Sequence, residues 1–205
     1  MVNTQLTKPH HLIAYILQRL NKSAGMVELV KQVYLLDVEY YRLFGKTLSG
    51  LSYIREKLGP YTNEIGKIAS ELENLGIISI NIIPSSGLSP IPKKSHLFSK
   101  KTFKPEVDKV EEELISEFLK KIKYLTPKQL EKLAYQTEPM VEILNNEKVL
   151  KKPLTGYPLN FSLIKRDEFM KKWLKNQGKF KNEEDLQYEE FLLKEKQELA
   201  SLLSH

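Results

Sequence analysis

The side chains that most often carry metal-dependent or nucleophilic chemistry are few and scattered in this 205-residue sequence. The histidines form neither an HExxH pattern nor a His-x-x-x-His pair, which would place two imidazoles on one helix face; they are His10, His11, His96 and His205. There are no cysteines, which excludes disulfides, thiolate metal sites and thiol nucleophiles. We therefore expect a recognition module rather than an enzyme, with no catalytic residues, no metal site and no cofactor.

Asp37 lies among apolar residues in a long helical pattern, so we expect its carboxylate to be partly buried. A buried carboxylate needs hydrogen-bond partners, and the candidates are Lys31, Tyr41 and the backbone N–H groups of a Gly59-Pro60-Tyr61 turn. No second carboxylate stands at a spacing suited to general acid–base catalysis. We interpret Asp37 as a structural anchor, with a place on a binding face as the alternative.

Half of the ten tyrosines are concentrated in one third of the chain: Tyr34, Tyr40, Tyr41, Tyr53 and Tyr61. Tyrosine combines a rigid ring with a polar tip and suits protein interfaces, although at helical spacing it also packs in cores. Pro60 would fix the turn that presents part of this group. We predict that Tyr41, Tyr53 and Tyr61, together with Pro60, form a partner-binding surface.

The net charge of +6 is unevenly distributed along the chain. Residues 1–105 carry 14 basic and 7 acidic side chains, a net charge of +7, whereas the remainder carries −1. No acid occurs between Glu73 and Glu106, and this interval contains Lys93, Lys94, Lys100, Lys101 and Lys104. These lysines are candidate contacts to phosphates or to an acidic protein; the alternative is an ordinary solvated hairpin.

Apolar periodicity and turn residues predict a mainly α fold: a compact helical domain with a small two-stranded β-ribbon and a helical C-terminal tail. Predicted helices cover residues 7–20, 26–45, 51–58, 63–75, 106–123 and 128–135, and predicted strands cover 77–83 and 96–103. A loop at 154–158 separates the core from two tail helices, 167–175 and 183–203. The domain is predicted over 1–160 and the extension over 161–205, and the order of helices and ribbon is winged-helix-like.

An ordered set of motifs runs through the first two thirds of the chain. It reads Lys31-x-Val33-Tyr34-Leu35-x-Asp37, Tyr40-Tyr41, Gly45-x-x-Leu48 and Gly59-Pro60-Tyr61, then Leu125-Thr126-x-x-x-Leu130 and Tyr135-x-Thr137-x-Pro139. This set resembles the SocA-like antitoxin, or Panacea domain, family of bacterial and phage toxin–antitoxin systems. The motif residues that carry the resemblance include Lys31, Tyr34, Asp37, Gly45, Gly59 and Pro139. Leu58 and Thr137-Glu138-Pro139-Met140 depart from the pattern of many members and indicate a divergent subgroup.

The resemblance implies an antitoxin without enzymatic activity that neutralises a cognate, co-encoded toxin by direct protein–protein binding. In some members the domain presents the toxin to a protease. The alternative is a winged-helix-like DNA-binding transcriptional regulator, whose third helix would offer Asn63, Lys67 and Ser70. Acids on that helix oppose phosphate approach, so we expect nucleic-acid binding to be weak or absent; they are Glu64, Glu71 and Glu73.

The chain start lacks the features of a secretion signal, and no apolar run approaches the ~18 residues of a membrane span. We therefore expect a cytoplasmic protein that does not contact a membrane. The oligomeric state is left open by the sequence.

Overall fold

The computed structural model of the chain describes residues 5–83, 93–99 and 102–167. The chain divides into two units, residues 1–166 and 167–205, and almost all described residues belong to the first. The predicted tail helices at 167–175 and 183–203 and most of the predicted loop at 84–94 lie outside the described residues. The predicted domain boundary near residue 160 stays a prediction.

The described residues are mainly helical, as the apolar periodicity predicted. The α-helices are α1 (Lys8–Leu20), α2 (Met26–Phe44), α3 (Glu64–Asn74), α4 (Lys109–Ile122), α5 (Pro127–Tyr135) and α6 (Glu138–Leu150), and a 3-10 turn follows at Phe161–Leu163. The strands are β1 (Ala24–Gly25), β2 (Ile54–Glu56), β3 (Gly59–Tyr61), β4 (Ile78–Ile83) and β5 (Lys93–Phe98). The mainly α class is therefore confirmed.

Helix boundaries follow local signals in the sequence. Helix α2 ends where Gly45 adopts a left-handed conformation with φ of 72°, and the Gly45 N–H donates to the Tyr41 carbonyl oxygen. Pro127 occupies the first turn of α5, where a missing N–H costs little. Helix α4 starts later than the predicted residue 106, because Asp108 caps it by accepting from the Glu111 N–H at 2.9 Å.

The predicted β-ribbon corresponds to the antiparallel pair β4–β5, in which Ile78 lies opposite Phe98. The second strand therefore ends at Phe98, whereas the sequence predicted it over 96–103. Strand β1 joins the pair through Ala24, which lies opposite His96, so the sheet has three strands in the order β1-β5-β4. Two residues are too few to show an alternating pattern, which explains why β1 was not predicted.

The predicted short helix over residues 51–58 is wrong. This segment contains β2, which pairs with β3 in an antiparallel hairpin, with Ile54 opposite Tyr61 and Glu56 opposite Gly59. Lys57 and Leu58 form the two-residue turn between the strands, and Gly59 follows with a φ of 92°. Gly59, Pro60 and Tyr61, which were predicted to form a turn, are strand β3, and the hairpin places them beside α2 and α5.

Long-range partners explain why this segment is extended. Leu51 and Tyr53 are buried at alternate positions, which is the period of a strand and not of a helix. The Arg55 N–H donates to the Tyr157 carbonyl oxygen, and the Arg55 carbonyl oxygen accepts from the Gly156 N–H, both at 2.7 Å. These backbone partners lie about one hundred residues away in the sequence, so the local residue pattern cannot predict the hydrogen bonds to them.

Helix α2 is the central element of the core and contacts α4, α5 and strands of both sheets. Helix α6 is not among the predicted elements, and the segment after it packs on the core instead of only separating core from tail. Leu154, Leu159 and Ile164 are buried, and Phe161 packs edge to face on Tyr34 with ring centroids 5.7 Å apart. The first unit thus extends its core beyond the predicted loop at 154–158.

Candidate functional site

A groove of about 320 Å³ lies between the start of α2 and the β2–β3 hairpin. Its surface is mainly apolar, and three of its large apolar side chains are exposed: Val27 (41 %), Leu58 (52 %) and Tyr61 (39 %). The lining, called the Lys31 groove from here on, consists of Met26, Val27, Val30, Lys31, Glu56, Lys57, Leu58, Gly59 and Tyr61. A concave, mainly apolar surface of this kind is typical of ligand-binding sites.

Helix and hairpin geometry together build the groove. Met26 and Val30 are four residues apart on the first turns of α2, so they lie on one face of the helix. Leu58 lies in the two-residue turn at the tip of the hairpin, which leaves its side chain half exposed. Gly59 has a positive φ of 92°, and a Cβ there would lie 3.1 Å from Tyr135 Cε2, so a larger residue would strain the backbone and require the Tyr135 ring to shift.

Lys31 is a buried charged residue in the groove lining, with only 2 % of its surface exposed. Its Nζ donates to the Pro60 carbonyl oxygen at 2.7 Å. Burial lowers the pKa of Lys31 to about 8, while the charge of Glu131 raises it and that of Arg55 lowers it further. Among the described residues Lys31 forms no ion pair, and its hydrogen bond to Pro60 engages one of its three N–H groups.

The structure separates the residues predicted to form one tyrosine surface. Tyr61 lies on the groove wall, and the buried Pro60 contributes its carbonyl oxygen to Lys31. Tyr53 is 2 % exposed and belongs to the core, and Tyr41 is half-buried against Phe161 with ring centroids 5.8 Å apart. Binding by Tyr41 and Tyr61 stays a prediction, whereas Tyr53 lies beneath the surface.

Of the nine residues that line the groove, Tyr61 was predicted as a binding residue, whereas the exposed apolar residues Val27 and Leu58 were not. Leu58 had a weak signal, because an aliphatic side chain beside a Gly-Pro turn has no obvious core position. The sequence carries no signal that would mark Val27 as a binding residue, since Val27 continues the apolar pattern of α2 and resembles its buried neighbours. The structure therefore supplies the apolar walls and places Lys31, Gly59 and Tyr61 around one groove, with the Pro60 carbonyl oxygen bound to Lys31.

Asp37 is fully buried beneath the loop that follows α2. Its Oδ1 accepts from the Ser49 N–H at 2.7 Å, and its Oδ2 accepts from the Tyr53 hydroxyl at 2.7 Å and from the Ser49 hydroxyl. Burial raises the pKa of Asp37 to about 6, although the hydrogen bonds from Ser49 and Tyr53 oppose this rise. The predicted partners Lys31, Tyr41 and the Gly59-Pro60-Tyr61 turn are wrong, because the loop folds back and brings Ser49 to the carboxylate.

A network around Arg55 braces the hairpin from the side of α6. Arg55 Nε donates to Glu147 Oε1 at 3.1 Å, and the same carboxylate oxygen accepts from the Leu154 N–H at 2.9 Å. The Tyr135 hydroxyl donates to the Lys57 carbonyl oxygen at 3.2 Å, in the turn of the hairpin. The hairpin wall of the Lys31 groove is therefore held in place by the fold itself.

The sequence model of one protein family, described as antitoxin SocA-like, Panacea domain, matches residues 29–139 of the chain. The match covers more than half of the sequence and includes α2 from residue 29 onward, the β2–β3 hairpin and α5. The protein belongs to the SocA-like antitoxin, Panacea domain family. The resemblance carried by the ordered motifs is thereby confirmed. No curated protein and no solved structure matches the chain.

The segment Thr137-Glu138-Pro139 of this Panacea domain holds the start of α6 against α2. The Tyr34 hydroxyl and Thr137 Oγ1 lie 2.6 Å apart and form a buried hydrogen bond. The Glu138 carboxylate accepts from both terminal nitrogens of Arg42, at 2.8 and 2.7 Å, and Pro139 is buried in the first turn of α6. These contacts give Tyr34 and Pro139 structural roles.

The candidate phosphate contacts are only partly described. Lys94 and Lys104 are exposed, while the side chain of Lys93 and residues Lys100 and Lys101 lie outside the described residues. On α3 the exposed residues are Glu64, Lys67, Ser70, Glu73 and Asn74, and the N-cap residue Asn63 is exposed as well. Phosphate binding by these lysines stays a prediction.

Two further properties bear on function. Within residues 5–83, 93–99 and 102–167, no three histidine or acidic side chains form a group that could hold a metal ion. Over the same residues, none of the helices combines the length and the apolar character needed to cross a lipid bilayer.

Proposed function

We propose that this Panacea domain protein is an antitoxin that neutralises a co-encoded toxin by direct protein–protein binding, without enzymatic activity of its own. The observation that carries the proposal is the family match over residues 29–139, which spans the central helix and the hairpin. A cytoplasmic location, as expected from the sequence, is part of the same proposal.

The shape and chemistry of the Lys31 groove support a role in protein binding. Its exposed apolar side chains, Val27, Leu58 and Tyr61, would lose contact with water on binding a partner. Each Å² of apolar surface removed from water contributes about 25 cal/mol. The hairpin is braced by Tyr135 and Arg55, so little ordering cost opposes binding.

Co-expression of the protein with each gene that lies directly beside its own tests the proposal. We expect one neighbour to arrest growth when expressed alone and to be harmless when this protein is co-expressed. A version of the antitoxin gene with an early stop codon is the control, since it retains the RNA and loses the protein. The proposal fails if no neighbouring gene both arrests growth when expressed alone and becomes harmless when this protein is co-expressed.

The fate of the toxin separates direct binding from presentation to a protease. Direct binding predicts that the toxin persists and co-purifies with the antitoxin in a stable complex. Presentation to a protease predicts that the amount of toxin falls on co-expression. We expect the stable complex, and pulse-chase labelling of the toxin with and without the antitoxin measures the difference.

A further inference from the structure

The Lys31 groove combines apolar walls with a buried positive charge. Val27, Leu58 and Tyr61 expose large apolar surfaces, while Lys31 is 2 % exposed. Burying an ammonium group away from water is costly unless acceptors replace the lost water. The Pro60 carbonyl oxygen is the acceptor that the fold supplies, and it satisfies one N–H of three.

The charge on Lys31 is not balanced by an ion pair among the described residues. Glu131 acts on Lys31 only through its longer-range field, and the positive charge of Arg55 opposes that effect. A carboxylate that entered the groove would find a desolvated ammonium with free donors. Charge-assisted hydrogen bonds are about twice as strong as neutral ones, so this pairing would select an acidic group over a neutral one.

We propose that the Lys31 groove binds an apolar segment of the toxin that carries an Asp or Glu side chain. The apolar side chains of that segment would pack on Val27, Leu58 and Tyr61, and its carboxylate would accept hydrogen bonds from Lys31 Nζ. The identity of the partner as a toxin rests on the proposed function, whereas the chemistry of the segment follows from the groove. The volume of about 320 Å³ lies at the small end of ligand sites, which fits a few side chains.

Charge at the rim distinguishes this occupant from a nucleic acid. Phosphate binding uses exposed cations, and Lys31 is buried. Glu56 stands beside Lys57 in the groove lining, so the rim offers no excess of positive charge to a phosphate backbone. A peptide with one acid among apolar residues matches both the walls and the single buried ammonium.

A random peptide library displayed on phage and selected on the full-length protein tests the inference without a toxin. The selected peptides are then measured on the Leu58→Asp variant, because a carboxylate on the groove wall removes apolar contact and repels an acidic peptide. We expect enriched peptides with large apolar side chains and an Asp or Glu. Their affinity should fall about thirtyfold or more on Leu58→Asp, as at an interface hot spot.

The pairing with Lys31 is tested by a double-mutant cycle on a selected peptide. Replacing the peptide acid by its amide should weaken binding to the wild-type protein about tenfold. The same replacement should change binding to Lys31→Met less than twofold. Equal losses on both proteins would show that the acid does not contact Lys31, and the inference would be wrong.

Matched controls keep the result interpretable. Tyr124→Asp makes a similar change at a residue that is 82 % exposed and outside the groove, and it should bind the peptides like the wild type. Thermal unfolding checks that each variant is folded. Because Leu58 is half exposed, we expect Leu58→Asp to fold, so this variant still tests the inference if Lys31→Met does not fold.

A library without enriched acidic apolar peptides, or peptides that bind Leu58→Asp as well as the wild type, overturns the inference. So does a groove filled by a second copy, seen as a dimer that Leu58→Asp dissociates.

The toxin from the co-expression assay separates the two proposals. If the wild type and Tyr124→Asp restore growth of cells that express the toxin but Leu58→Asp does not, the proposed function and the groove inference both stand. If Leu58→Asp rescues as well as the wild type, the groove does not bind the toxin and only the proposed function stands. If no neighbouring gene is toxic while the selected peptides still require Leu58 and Lys31, the groove chemistry stands and the antitoxin assignment fails.

Discussion

At the scale of single residues, Asp37 and Lys31 show two ways in which this fold accommodates a buried charge. Asp37 receives hydrogen bonds from Ser49 and Tyr53, which offset the loss of water around its carboxylate. Lys31 receives one acceptor from Pro60 and keeps donors for a partner. The contrast supports a structural role for Asp37 and is consistent with the partner contact that we propose for Lys31.

The raised pKa of Asp37 predicts a pH dependence of stability. The folded-state pKa of about 6 lies above the ordinary aspartate value of 3.8, so between these values the folded state holds the proton more tightly than the unfolded state. The contribution of Asp37 is therefore fully present below about pH 4 and is lost as the pH rises through about 6. The loss amounts to roughly 3 kcal/mol.

Urea unfolding of the wild type and of Asp37→Asn at several pH values between 4 and 7 measures this effect. The wild type should lose stability relative to Asp37→Asn as the pH rises across that range. Asp37→Ala should be less stable than Asp37→Asn by about 2 kcal/mol, because Ser49 N–H and Tyr53 hydroxyl would lose their acceptor. A difference between wild type and Asp37→Asn that does not vary with pH would contradict the raised pKa.

At the scale of elements, the β2–β3 hairpin is the part of the site whose position depends most on a single residue. Gly59 has a φ of 92°, and a Cβ there would lie 3.1 Å from Tyr135 Cε2. Gly50 is a matched comparison, with a φ of 72° and no atom within 4 Å of its Cβ position. The two glycines share a left-handed backbone and differ in close packing.

We expect Gly59→Ala to destabilise the protein more than Gly50→Ala. The left-handed backbone alone costs Gly50→Ala about 1 kcal/mol, whereas the contact with Tyr135 adds about 1 to 3 kcal/mol in Gly59→Ala. Chemical denaturation gives both values. Equal losses in the two variants would mean that the hairpin does not depend on its close approach to α5.

At the scale of the whole molecule, the positive charge of the first half predicts how the protein meets nucleic acid. Residues 1–105 carry a net charge of +7, but α3 places Glu64 among its exposed polar residues. We expect duplex DNA to bind weakly and without sequence preference, with a Kd of about 10⁻⁶ M or weaker at physiological salt.

Fluorescence anisotropy with several unrelated duplexes measures this property. Reversing the charge of the exposed Lys94 and Lys104 should weaken binding to all duplexes equally. A nanomolar, sequence-specific complex would contradict the expectation and favour a DNA-binding regulator over an antitoxin.

Much of the helical architecture could be read from the sequence, because its signals are local. Gly45 ends α2 where a left-handed residue is needed, and Pro127 begins α5 where a missing N–H is tolerated. The ordered motifs were also sufficient to identify the family that the match over residues 29–139 confirms. For the site, the motif predicted Lys31, Gly59, Pro60 and Tyr61 as separate residues without placing them around one groove.

Tertiary contacts decided the rest, because the responsible partners are distant in sequence. Residues 51–58 form part of a hairpin and not a helix since Arg55 pairs with the backbone of Gly156 and Tyr157. Tyr53 enters the core because its hydroxyl reaches Asp37. The Lys31 groove itself exists only where the first turns of α2 meet the hairpin. Helix propensity and turn chemistry act over a few residues, whereas a groove depends on which surfaces the packed core leaves exposed.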